Sequence, residues 1–224
     1  MLSTRRPVST PTDWGHSIVD NKLPQTIEGI NVFVDGAPVY VEYINPNQVN
    51  FLLPMNTRVG NTNLELITPS GVGVASTSIE IDAVAPGLFT YPLNGLLYPA
   101  AVFATPDGSV IYVAPAGALG PGYNSRPAVA GDLVELYATG CGQTSPAAPD
   151  GVVLSKVYNA ADPSAFKVTI GGKPAVILFA GLVGPGLFQI NIQVPAGLTG
   201  GDQVLVLSVN NVASQPNVKI AIQA

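Results

Sequence analysis

A single histidine, His16, and a single cysteine, Cys141, bound the nucleophilic and metal chemistry open to this chain of 224 residues. A Ser–His–Asp triad would have to run through His16, which lies in Trp14-Gly15-His16 of a polar leader without strand patterning. No G-x-S-x-G elbow supplies the nucleophile such a triad needs. Cys141, in Thr139-Gly140-Cys141-Gly142, would act as a thiolate only beside a base, and otherwise reads as a small buried hydrophobe. One histidine and one cysteine cannot assemble a zinc site. Asp107, Asp150, Asp162 and Asp202 all fall in turns. They are isolated from one another, without the dense side-chain oxygens of a calcium loop, and are expected to shape those turns. No cofactor and no metal is expected. Lys167 and Lys219 raise the idea of a Lys–Asn isopeptide bond, but each alternates outward between apolar neighbours, as solvated lysines do.

Aromatic rings offer a different chemistry. Tyr91, Tyr98, Tyr112 and Tyr123 cluster in sequence around one predicted hairpin, and two or three exposed rings could stack on sugar faces. A carbohydrate-binding accessory module is therefore the alternative to a structural role, with surface glycans as its partners. A secreted hydrolase acting through His16 is a distant third.

The elements that would have to position these residues follow from composition. Twenty-four glycines and twenty-one prolines, about one residue in five, break the chain too often for a helical bundle. The apolar fraction, 47%, is too high for a disordered chain. No apolar run is long enough for a transmembrane helix. Many short strands joined by many turns remain: an all-β protein. The formal charge is −5, with nine Lys+Arg against fourteen Asp+Glu and only one adjacent basic pair, Arg5-Arg6. That balance argues against nucleic acid as a partner. Charged residues are only 10% of the chain, against roughly 25% in typical soluble domains, which suits an exported β protein. Met1–Thr12 lacks the apolar stretch of a signal peptide.

An internal repeat organises the chain. Residues 30–54, INVFVDGAPVYVEYINPNQVNFLLP, match residues 166–195, FKVTIGGKPAVILFAGLVGPGLFQINIQVP. Val32 aligns with Val168, Gly36 with Gly172, Pro38 with Pro174, Tyr43 with Phe179, Gln48 with Gln189, Asn50 with Asn191 and Pro54 with Pro195. Both copies continue through an alternating strand, at 63–68 and 203–209, and a last one, at 77–81 and 218–222. Asp35-Gly36 supplies a turn with positive φ. Asn is disfavoured inside a strand, so the recurring Gln48/Asn50 and Gln189/Asn191 pairs are expected to bond neighbouring backbone, with Pro54 and Pro195 ending their strands. Between the copies, 100–105 and 109–113 read as a hairpin around Pro106-Asp107-Gly108. Residues 133–139, LVELYAT, alternate cleanly, with Val134, Leu136 and Ala138 on one face.

The runs LPQTIEGINVFVDGAPVYVEYINPNQVNFLLP, APGLF at 85–89, AGDLVELYATGCG at 130–142, VTIGGKPAVILFAG and GLFQINIQVPAGL follow one another along the chain. Taken in that order, they resemble the acidobacterial (Solibacter-type) C-terminal domain family of secreted proteins. The resemblance spans about residues 23–224. It implies export and immunoglobulin-like β-sandwich architecture, and carries no catalytic or binding residue. In that family the first unit is preceded by a strand like 131–142, and nothing in residues 1–22 matches it.

The expected organisation is two tandem immunoglobulin-like β-sandwich units, 23–84 and 85–224, after an N-terminal segment, 1–22. The second unit owns a front strand, 133–139, that the first lacks, so the first should present an open edge and an uncovered apolar groove. Strand addition from another copy would fill it, with the segment carrying Trp14, Ile18 and Val19 as candidate donor. The expected function is a non-enzymatic extracellular structural or adhesive protein at the cell surface, self-assembling into a polymer or filament by strand sharing.

Overall fold

The computed structural model describes residues 10–69 and 75–224. It is all-β: strands joined by turns, two single 3₁₀ turns, and no α-helix among the described residues. The chain divides into two compact units, one drawn from residues up to Ala83 together with Ala148–Ser155, the other from Val84–Ala147 and Lys156–Ala224.

The first unit is a β-sandwich. One sheet holds β1 (Thr12–Asp13), β5 (Tyr40–Asn45) and β6 (Gln48–Leu52) in the order β1-β5-β6. The other holds β2 (Thr26–Ile27), β3 (Ile30–Val34), β7 (Gly60–Ile67) and β8 (Ala75–Ile81) in that order, with β4 (Ala37–Pro38) alongside β3. Period-two alternation sends Ile30, Val32 and Val34 of β3 inward to meet Val41 and Ile44 of β5 in one core. Asp35 (φ 53°) and Gly36 (φ 74°) make the positive-φ turn after β3, and Gly171 (φ 55°) and Gly172 (φ 77°) make its counterpart in the second unit.

The second unit is larger. Its main sheet orders β14 (Ser125–Arg126), β13 (Tyr112–Val113), β12 (Ala101–Phe103), β15 (Leu133–Thr139), β20 (Leu187–Gln193), β19 (Val176–Gly184) and β16 (Tyr158–Asn159), with β9 (Gly87–Leu88) on the end of β15. The second sheet orders β18 (Lys173–Pro174), β17 (Phe166–Ile170), β21 (Gly201–Val209) and β22 (Val212–Ala213), with β23 (Lys219–Ile222) also on β21. The hairpin expected at 100–113 is present as β12 and β13, joined through Val102 and Tyr112. A further hairpin, β10 (Thr90–Leu93) with β11 (Leu96–Pro99), turns at Asn94-Gly95 with φ of 51° and 79°. Asn-Gly between two apolar runs is its sequence signal.

Two features depart from the expected organisation. The stretch 148–155, assigned by sequence to the second unit, folds into the first. Leu23 N–H donates to Gly151 O at 2.9 Å, Val153 N–H to Asn21 O at 2.8 Å, and Met55 N–H to the Asp150 carboxylate at 2.7 Å. The N-terminal segment, from Thr10 on, is not an extended donor strand. Thr12 and Asp13 pair with Ile44 and Tyr43 of the same chain. Trp14–His16 then form a 3₁₀ turn, capped by the Asp13 carboxylate on Gly15 N–H at 2.7 Å. Trp14 packs on its own unit's core, Ile18 is half-buried, and Val19 is exposed in a tight turn closed by Lys22 N–H. The reason is apolar area: the indole is the largest apolar surface in the segment, and its own core is the nearest place to bury it.

Candidate functional site

β6 is the residue-level difference between the two copies of the repeat. In the second unit its counterpart β20 lies between β19 and β15. There Leu136 stands opposite Ile190 and Val134 opposite Ile192, with Val134, Leu136 and Ala138 all at 0% exposure. In the first unit β6 pairs with β5 on one side and with no other described strand, so alternate N–H and C=O groups face outward along its free edge. The facing sheet also stops there, because β8 is terminal.

Side chains respond accordingly. Ile190 and Ile192 of β20 and Leu205 and Leu207 of β21 are each 0% exposed. Their counterparts in the first unit, Val49 and Phe51 of β6 and Leu64 and Leu66 of β7, are only half-buried. Between them runs a groove of about 390 Å³ whose floor is Ile30 and Val32. A water occupies about 30 Å³, and packed interiors hold few voids larger than that, so this is a binding-sized opening and not a packing defect. Its rim carries Asn45, Asn47, Gln48, Thr68 and Thr77, and none of the described lining residues is ionisable. Such a groove offers apolar contact and main-chain hydrogen bonding, with no acid, base or metal ligand.

The recurring amides make the same bond twice. Gln48 Nε2 donates to Asn50 Oδ1 at 2.6 Å, and Gln189 Nε2 to Asn191 Oδ1 at 2.8 Å. The expected side chain–backbone bonds are absent, because residues two apart on a strand share a face and the two amides satisfy each other. Pro54 and Pro195 each stand two residues past the end of their strands.

The four tyrosines do not form one sugar platform. Tyr91 and Tyr98 are cross-strand partners in the β10–β11 hairpin, stacked at 6.2 Å between centroids. Tyr98 is 3% exposed and donates its hydroxyl to Asp202 at 2.7 Å, and the Tyr91 hydroxyl is also buried. The Tyr98 ring is therefore closed to a ligand, and the half-buried Tyr91 turns one face onto it. Tyr112 and Tyr123 form a separate edge-to-face pair at 5.7 Å, in which Tyr123 is exposed.

The remaining candidates are dispersed. His16 is exposed at the end of its 3₁₀ turn. Cys141 is buried, and burial pushes its thiol up to about 12, far from the thiolate a nucleophile needs. Asp107 and Asp162 accept from the backbone two residues on and shape their turns, whereas Asp150 and Asp202 reach distant partners, Met55 and Tyr98. The Lys167 ammonium donates to the Asn211 side chain at 3.0 Å on the exposed surface. Among the described residues, no three His, Cys, Asp or Glu side chains lie close enough to hold a metal ion, and no helix is long and apolar enough to cross a membrane. No family model matches the chain, and no curated protein matches it.

Proposed function

We propose that this chain is a non-enzymatic extracellular structural or adhesive protein that joins its copies by strand sharing, with the first unit as acceptor. The observation that carries this reading is the contrast between β20, flanked by a strand on each side, and β6, flanked on one side only above an apolar groove. Strand addition satisfies a row of main-chain groups and buries Val49, Phe51, Leu64 and Leu66 in one step. Burial of such side chains stabilises by about 1.5–3 kcal/mol each when complete, and these are already half-buried, so each gains about half of that. A contact in which one surface of a subunit receives a different surface of the next does not close on itself unless its rotation forms a ring, which is how filaments arise. A chain only 10% charged has little repulsion to oppose such stacking. Export and immunoglobulin-like architecture belong to this proposal through the resemblance to the Solibacter-type domain.

Sedimentation equilibrium of the full chain over a wide concentration range tests it. The mean mass should rise with concentration, and Val49→Glu, which places a charge in the groove, should hold the protein at monomer mass while its circular dichroism stays native. A wild-type chain that remains monomeric at the highest soluble concentration overturns the reading.

A further inference from the structure

We infer that the groove of the first unit receives an extended polypeptide segment of the same chemistry as β15, supplied by another molecule and laid antiparallel on β6. The inference rests on the strand-sharing reading and adds what is shared, in which direction and in which register. Its template lies within the same chain. Aligning Gln48 with Gln189 and Asn50 with Asn191 superimposes β6 on β20 residue by residue. The register of β15 on β20 then transfers directly. The incoming residue equivalent to Leu136 stands opposite Val49, and the one equivalent to Val134 stands opposite Phe51. Those two point into the groove over Leu64 and Leu66, while the residues equivalent to Glu135 and Tyr137 point outward beside Asn50 and Gln48.

The groove selects this occupant for two reasons. Its described lining has no ionisable group, so a segment with charges at the inward positions would bury them unpaired there, whereas aliphatic side chains meet aliphatic walls. The edge of β6 offers hydrogen bonds at the spacing of a strand, which a helix or a compact ligand cannot match. The candidate within the described N-terminal segment does not meet these terms, because Trp14 is already packed on its own core and residues 14–16 form a 3₁₀ turn.

A synthetic peptide with the sequence of residues 132–140, DLVELYATG, is the probe, tested against the full chain carrying Val49→Cys. Two versions are compared under mild oxidation, one with cysteine at the position of Leu136 and one with cysteine at the position of Tyr137. The buried Cys141 thiol does not compete, since it stays protonated. Adjacent residues of a strand face opposite sides, so the first peptide should give about tenfold more disulfide-linked product than the second. In the wild-type chain the unmodified peptide should shift the backbone amide resonances of 48–52. Equal trapping of both peptides, or neither trapping nor a resonance shift, overturns the inference. If the chain polymerises but neither traps nor responds to the peptide, the β15 pattern and register fall while strand sharing stands. A chain that traps the peptide in register yet stays monomeric supports the acceptor site and removes self-assembly from the proposed function.

Discussion

Single residues in this protein matter mostly through what they leave unsatisfied when removed. Asn50 and Asn191 each accept one bond from a glutamine on the same strand face, and Gln48 is exposed. Water can take the place of the lost acceptor on exposed Gln48, so Asn50→Ala should lower stability by about 0.5–1 kcal/mol, and Asn191→Ala, beside the half-buried Gln189, by about 1 kcal/mol, measured by urea unfolding. That is less than a buried backbone-bonding amide would cost. Tyr98 is the opposite case, its ring buried and its hydroxyl bonded to a carboxylate. Tyr98→Phe is expected to lose about 1–2 kcal/mol, because the Asp202 side chain forfeits its donor. Burial, then the bond to Asp202, raises Tyr98 to about 12, and burial, then the charge of Glu135, does the same for Tyr137, against an ordinary value of 10.0. With both values raised, the folded state keeps protons that the unfolded chain releases. The contribution is whole below about pH 10 and is lost as pH rises toward 12. Cys141, raised by burial from 9.0 to about 12, adds a loss that begins lower, so the urea midpoint should be flat through neutral pH and fall above about pH 9, less steeply in Tyr98→Phe. A midpoint that does not move at alkaline pH would contradict this.

At the scale of elements, Gly140 shows how one backbone position holds two strands. It follows β15 with φ of +68°, its carbonyl accepts from Ala85 N–H at 2.8 Å, and a Cβ there would collide with the Ala85 carbonyl. Gly140→Ala combines a left-handed conformation, about 1–2 kcal/mol for an L-residue, with displacement of the strand entering at Gly87. Thermal unfolding should show a loss of at least about 2 kcal/mol, whereas Gly36→Ala, whose Cβ would meet nothing within 4 Å, should lose only the conformational part. The alternation of 133–139 and the hairpin at 100–113 were legible from period two and turn residues alone, because both are set by local sterics. The β10–β11 hairpin carries an equally local signal in Asn94-Gly95, one that the tyrosine clustering obscures.

For the whole molecule, the chain passes from one unit to the other at 83/84, 147/148 and 155/156. The stretch 148–155 supplies Gly151 O to Leu23 and the Asp150 carboxylate to Met55, and Gly151 lies against the Tyr40 ring, where a Cβ would collide. Replacing it with a Gly/Ser stretch of equal length should therefore weaken the first unit and spare the second. Hydrogen exchange distinguishes them: amides of β5 should lose protection by about tenfold or more, equivalent to about 1.4 kcal/mol, while those of β20 stay unchanged. Equal loss in both units would mean that the stretch belongs to neither in particular.

The amino-acid sequence by itself determined the all-β class, the strand-by-strand repeat, the inward faces of β3 and β15 and the positive-φ turn at Asp35-Gly36. These depend on residue alternation, on the steric freedom of glycine and on similarity between two stretches of one chain, all of which are local or internal properties. Tertiary structure decided which strands became neighbours. Whether Trp14 reaches outward or packs on its own core, whether 148–155 joins the first unit or the second, and whether Tyr98 faces a ligand or Asp202 all depend on which apolar surfaces lie within reach after collapse. The open side of β6 belongs to both levels. That residues 1–22 hold no counterpart of β15 is visible in the repeat, but the groove exists only because two sheets that end at the same side leave Val49, Phe51, Leu64 and Leu66 facing a space that no described side chain fills.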